Sequence, residues 1–211
     1  MTPPYACAYS NGRDSKFPLE DTQAHNTLLG AKRNGTPYLA VATEEGSAII
    51  LKTSGRKDWD FTGSRRTLRP HYNGIFNIKW GPDDSVLATA SGDKTTHITS
   101  VETEEIIRVL RGHSSTVKCI AWDPSHPDLL STGGRDGNIY LWDLRVTNNS
   151  GTSPAPNEDF PTSYPVVAIN AAHGQEKTKG GRRKTQPSPR GVTGLVYTNA
   201  HTLVSSGSFD G

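Results

Sequence analysis

The sequence predicts an all-β fold of serially repeated sheets, on three observations: a motif recurring at a nearly constant interval, a composition rich in turn residues, and short alternating apolar runs. The 211 residues include 21 Gly and 14 Pro but a single Met, and only 33% are hydrophobic. That balance suits many short strands and turns rather than long helices.

The repeat is the strongest of the three, because self-similarity at a fixed period decides architecture before any residue-level reading. The segment from His71 through Trp80-Gly-Pro to Thr89 and Asp93 aligns with one from His113 through Trp122-Asp-Pro to Thr132 and Asp136. Both carry Trp-x-Pro, an apolar run, then Thr and Asp four positions apart. A third copy, Gly191 to Tyr197 followed by Leu203 to Gly211, keeps that interval with Ser206 and Asp210. A fainter one, Tyr38 to Leu51, has Glu45 where the others have Asp. Glu45 to Asp93 is about 48 residues and Asp93 to Asp136 about 43, against roughly 40 to 45 for a four-stranded propeller blade.

Within a unit the apolar positions alternate over four to eight residues and are punctuated by Gly, Asp, Asn and Pro, as strands and turns require. Val117 to Trp122 is predicted as an inner strand, Leu129 to Gly133 as the next and Asn138 to Trp142 as the third. Asp136-Gly137 is a tight-hairpin signal between the last two.

Composition excludes several functions. Lys and Arg number 23 against 21 Asp and Glu, a formal charge of +2, so no global field selects nucleic acid or a membrane surface as partner. No run approaches the roughly 18 apolar residues of a membrane helix, and the N-terminal region lacks the basic-then-apolar order of a signal peptide. Cys7 and Cys119 have no second pair or nearby His at metal spacing, which fits a reducing compartment without disulfides and makes Cys119 a strand-core residue. His113, Thr132 and Asp136 superficially suggest a hydrolase, but catalytic sites do not come in serial replicas. Neither a phosphate loop nor a nucleophile elbow is present, so no catalysis, cofactor, metal or small-molecule ligand is expected.

Gly112-His113 and Trp142-Asp143 bracket one complete unit, and here the chain resembles the WD-repeat (WD40) β-propeller family. The resemblance implies a hydrogen-bonded network within each blade. It falls on His113, Thr132, Asp136 and Trp142 in one unit, on His71, Thr89 and Asp93 in another, and on Ser206 and Asp210 in the last. In the second unit Thr99-Ser100 stands where Trp-Asp would, so that network loses its indole. Three to four blades of a seven-blade ring are expected. Their bounds are 38–70 (degenerate), 71–110, 111–146 and 191–211 (lacking its third strand), with residues 1–37 contributing a latching strand around Pro4 to Ser10.

The run Gly133 to Arg145 ends in Trp-Asp-x-Arg, and in this box the chain resembles the substrate receptors of cullin-4 RING ubiquitin ligases. The order of Ala40 to Gly46, His71 to Trp80, the box, Ala171-Ala-His173, a basic insertion and Leu203 to Gly207 is similar to the denticleless family, over roughly residues 38 to 211. That resemblance implies a non-catalytic receptor in which Trp142, Asp143 and Arg145 meet the ligase's propeller adaptor. It also implies the cullin-4 complex as a partner and substrates among replication and cell-cycle proteins, some bound to the sliding clamp. Arg suits such a contact because its planar fork binds carboxylates or carbonyls bidentately; the alternative is an Arg pairing with the neighbouring blade. A WD scaffold organising chromatin or signalling complexes without a ligase is the other functional reading.

About nine residues separate Asp136 from Arg145, on the order of 25 to 30 Å of strand, so the two face opposite rims. Arg135 and Phe209, each one residue before its unit's Asp, are candidates for a substrate rim, since Arg and aromatic anchors dominate binding energy at interfaces. The insertion at 147–190 is too long for a blade connection and is expected to be largely disordered and basic. Its Lys179, Arg182, Arg183 and Lys184 are open to three readings: a nuclear-targeting run, a weak phosphate-contacting tail or an inert loop. Within it, Tyr164 to His173 alternates as a strand that closes the third blade or leads into the fourth. The protein is expected in the nucleus, with the cytoplasm as a second location, and with no membrane association and no strong direct nucleic-acid binding.

Overall fold

A computed structural model describes residues 6–10, 38–53, 65–146, 160–174, 190–199 and 202–208. Among these there are fifteen strands and no helix. β1 (Ala6–Tyr9), β2 (Tyr38–Ala42), β3 (Ala48–Lys52) and β4 (Arg65–Leu68) form one antiparallel sheet in chain order. A second sheet holds β5 (Ile75–Trp80), β6 (Val86–Ser91), β7 (Thr95–Ser100) and β8 (Ile106–Arg111). The third is built from β9 (Val117–Trp122), β10 (Leu129–Gly134), β11 (Ile139–Asp143) and, across the insertion, β13 (Val167–Ile169). β14 (Val192–Asn199) and β15 (Thr202–Gly207) are the described part of a fourth.

The strands β1, β5, β9 and β14 neighbour one another, so the sheets stand side by side as blades with these as their inner edges. The strand expected near Pro4 to Ser10 is therefore the inner strand of the first blade and not an accessory latch. β12 (Thr162–Ser163) adds a short parallel rung to the outer edge of the second blade, through Thr162–Val109 and Ser163–Leu110.

Apolar residues from facing sheets fill the space between blades. Ile50, Leu68, Ile75, Ile78, Trp80 and Leu87 join blades one and two. Ile98, Leu110, Val117, Ile120, Leu130, Tyr140 and Trp142 join two and three. Among the described residues, Cys119, Ile139 and Val192 are the hydrophobic residues buried between three and four. Burial pushes the Cys119 thiol up to about 12, and the thiol donates to the Gly133 carbonyl, which leaves it a packing residue without thiolate chemistry. Polar cross-links add register. The Trp80 indole donates to the Ala8 carbonyl (3.0 Å), Arg66 pairs with Glu104, Arg108 donates to Ser163 Oγ (2.8 Å), and the hydroxyls of Ser131 and Tyr197 meet at 2.7 Å.

The turns between second and third strands use different residues for one shape. In the third blade Gly137 takes φ 77°, which costs glycine nothing; in the second blade Lys94 holds φ 74° at the corresponding place.

Candidate functional site

The third blade carries a closed polar network. His113 Nδ1 lies 3.1 and 3.0 Å from the two Asp136 oxygens, and His113 Nε2 lies 2.8 Å from Thr132 Oγ1. A carboxylate can only accept, so Nδ1 is the donor. Nε2 meets the Thr132 hydroxyl, whose Oγ1 accepts from the Trp142 indole (2.9 Å). The backbone N–H groups of Ser114 and Asn138 complete the carboxylate. Burial on its own would raise the Asp136 pKa; the His113 hydrogen bond and charge, with the two backbone donors, outweigh it and hold the group below its ordinary value. His113, Thr132, Asp136 and Trp142 are all buried.

The second blade has the same first three members and a different fourth. His71 Nδ1 donates to Asp93 (2.7 Å) and His71 Nε2 meets Thr89 Oγ1 (3.0 Å). Thr99 replaces the Trp, as the ladder shows by pairing Leu87 with Thr99 where Leu130 pairs with Trp142. His97, paired with Thr89 as Tyr140 is with Thr132, stacks on His71 with ring centroids 4.0 Å apart, as Tyr140 packs on His113 (4.5 Å), and its Nε2 meets Thr95 Oγ1 at 3.1 Å. Burial, followed by the adjacent His71, drives His97 down to about 4, so it stacks as a neutral ring. Asp93 lies at about 2: burial opposes this, and hydrogen bonds and charge from His71, with two bonds from Thr95, overcome it.

Two sequence assignments need correction. Ser206 is exposed and shares a hydrogen bond with the Thr193 hydroxyl instead of joining a blade network. The ladder shows why: Leu195–Ser205 occupies the place of Ile120–Thr132 and Ile78–Thr89, so Ser205 is the counterpart of Thr132. Counting back four positions from Asp210 lands one residue late, and one residue reverses the face. The histidine of this blade is His173, whose ring abuts Gly207 as the His113 ring abuts Gly134. Glu45, in turn, is exposed in the β2–β3 turn, which closes on Thr43 and Ser47; no hydrogen bond from a described residue reaches its carboxylate. Asp210, Phe209, Lys179, Arg182, Arg183 and Lys184 lie outside the described residues.

At the rim where β11 ends, Arg145 forms a fork on Asp143, with Nε 2.9 Å from Oδ1 and Nη2 2.7 Å from Oδ2, while its backbone N–H bonds Oδ1 as well. The Arg145 hydrogen bond is what lowers the Asp143 pKa. Arg145 thus pairs within its own blade and not with the neighbouring one. Its side chain stays 62% exposed, against 15% for Asp143. Trp142, the other member of the box, points into the blade. Beside the fork runs a mainly apolar groove lined by Pro82, Ile107, Trp122, Pro127 and Leu144, with Asp83, Arg108 and Asp128 also in its walls.

The opposite rim carries the β2–β3, β6–β7 and β10–β11 turns. Arg135 is exposed there, its backbone fixed by a 2.8 Å hydrogen bond to the Thr116 carbonyl. Lys118, the second residue of β9, places its ammonium 3.6 Å from the centroid of Phe76, the second residue of β5. Burial and then the charge of Arg135 lower the Lys118 pKa. Neither Phe76 nor Lys118 was singled out by sequence; the available signal was a Lys inside an apolar inner strand.

The WD domain, G-beta repeat family model matches residues 63–100 and 104–143. The fold is similar to a chain of the Chaetomium thermophilum Polycomb Repressive Complex 2 bound to GSK126, with TM-score 0.63 and 20% identity over 100% of this chain and 38% of that one. That likeness concerns the fold alone. The chain is thus a WD-repeat protein folded as part of a β-propeller. It is 32% identical over 180 residues to the Denticleless protein homolog of Danio rerio, covering 82% of this chain and 26% of the relative. Against the Denticleless protein homolog A of Xenopus laevis it is 30% identical over 221 residues, covering 99% and 27%; against the Homo sapiens homolog it is 29% identical over 229 residues, covering 98% and 28%. Within the WD-repeat class this is a denticleless-type chain, spanning about a quarter of the length of those curated relatives.

Proposed function

We propose that the protein is the substrate-recognition subunit of a cullin-4 RING ubiquitin ligase, holding the propeller adaptor on the Arg145 rim and a substrate on the Arg135 rim. The observation that carries this reading is the Arg145–Asp143 fork. An Arg that is oriented by a carboxylate yet mostly exposed loses little freedom on meeting a partner, which favours affinity. The apolar groove beside it offers the buried area that a charged pair alone lacks. On this reading Trp142 anchors the end of β11, Asp143 aims the guanidinium and Arg145 makes the contact.

The protein contributes proximity, with ubiquitin transfer performed by other subunits. Support for a role without chemistry comes from the His113–Thr132–Asp136 set. It has the connectivity of a nucleophile, base and orienter, but the hydroxyl is buried between blades and already saturated by the ring and the indole. Substrates are expected among replication and cell-cycle proteins, in the nucleus.

The test is co-purification of the adaptor with the full-length protein carrying Arg145→Ala. Adaptor should be lost while the thermal midpoint stays within about 0.5 kcal/mol of stability of the parent, as for any exposed side chain. Adaptor retained at the parental level overturns the receptor reading and leaves a WD scaffold without a ligase.

A further inference from the structure

The mouth of the blade arc on the Arg135 rim holds two cations, Lys118 and Arg135. The Arg135 N–H bonds the Thr116 carbonyl (2.8 Å), two residues before Lys118, which brings the two cations to the same end of the third blade. Among the described residues neither has an ion-pair partner. Lys118 leans on the Phe76 ring, an arrangement that holds an ammonium in place at an inner edge while leaving its donors unspent. Of the rim's carboxylates, Asp93 and Asp136 are bonded to His71 and His113 under their turns, and Glu44 and Glu45 are exposed at the tip of the first blade, whereas Lys94 is exposed at the tip of the second. The exposed charges are thus acidic at blade one and basic at blades two and three.

We propose that the Phe76–Lys118–Arg135 cluster is a binding site for an acidic protein segment, whose carboxylates bridge Lys118 and Arg135 while an apolar neighbour packs on Phe76. Like charges held together repel until an anion separates them, so the ligand relieves a cost already present in the free protein. A compact pair of cations beside one aromatic suits a short peptide. Nucleic acid draws its affinity from many phosphate contacts along a stripe of cations, which two inner-edge residues do not supply. The inference rests on reading this rim as the substrate side and goes beyond it by giving the substrate's chemistry.

The experiment is fluorescence anisotropy on the full-length protein with a labelled decapeptide of mixed Asp, Glu and Leu. Probes for comparison are a charge-reversed Lys/Leu peptide, a Gln/Leu peptide and a single-stranded oligonucleotide of equal length. The acidic peptide should bind, and Arg135→Glu should weaken it by about tenfold or more, as expected for loss of a charge-assisted hydrogen bond. Lys118→Gln should do likewise, and added salt should weaken binding further. Lys79→Gln, at the far end of β5, should leave it unchanged. Arg135 is an exposed turn residue, so its variant tests the site even if Lys118→Gln disturbs the blade. The inference is overturned if the acidic peptide fails to bind, if the neutral or basic peptide binds equally well, if the oligonucleotide binds more tightly, or if Arg135→Glu changes nothing. Adaptor co-purification reads the opposite rim, so a failure here is distinct from a failure of the receptor reading.

Discussion

The second and third blades share a ladder and three network residues, yet they close the network differently. In the third, the Trp142 indole caps Thr132 and fills the space between sheets. In the second, Thr99 stands in that place and its buried hydroxyl finds no partner among the described residues, while His97 packs on His71 as Tyr140 packs on His113. The difference teaches that these two blades both keep a satisfied carboxylate under the turn, and that the fourth member is a matter of packing. It also leaves the second blade's carboxylate wetter, with the Asp93 side chain 29% exposed against 4% for Asp136.

Truncating the cap should give the largest contrast. Trp142→Ala removes a fully buried indole and the Thr132 donor together, and is expected to cost about 3 to 5 kcal/mol, while Thr99→Ala costs below about 1.5. Urea denaturation measures both; equal losses would break the comparison. Next come the carboxylates. Asp136→Ala strands His113 Nδ1 and two backbone donors, a loss of about 2 to 3 kcal/mol. Asp93→Ala should cost about half as much, because water can reach the vacated donors.

Acid sharpens the same contrast. The folded Asp93 value of about 2 lies below the unfolded value of roughly 3.9, so its contribution is complete above about pH 5 and fades as the pH falls toward 2. Asp136 is depressed in the same direction. Urea midpoints should therefore fall between about pH 5 and pH 2, and Asp93→Asn should flatten part of that slope. The smallest effect belongs to the turns: Lys94→Gly relieves a left-handed backbone and should stabilise the second blade by up to about 1 kcal/mol, whereas Gly137→Lys should destabilise the third.

Much of this was legible in the sequence where a side chain has one physical use. Trp-x-Pro, the Thr-to-Asp interval and Trp142-Asp143 placed the inner strands and the third-blade network because each marks a turn or a buried partner. β4 gave no signal, since Arg65 to Leu68 is a mostly polar outer strand stabilised by its ladder to β3. The two-residue β12 was equally silent, because its parallel pairing depends on where the insertion folds back. Ser206 misled for a different reason: spacing to Asp210 cannot reveal the irregular register of β14 and β15, which shifts between Val192 and Gly194. His97, Lys118 and Phe76 act through contacts between strands or blades, and no count along one chain segment exposes those.

The proposed receptor role requires the two rims to be separate surfaces with different partners. It is tested most directly by quantifying adaptor recovered with full-length Arg145→Ala and Arg135→Glu proteins side by side. Loss of adaptor from the first and parental recovery with the second is the predicted result. Equal recovery from both, or loss confined to Arg135→Glu, would contradict it.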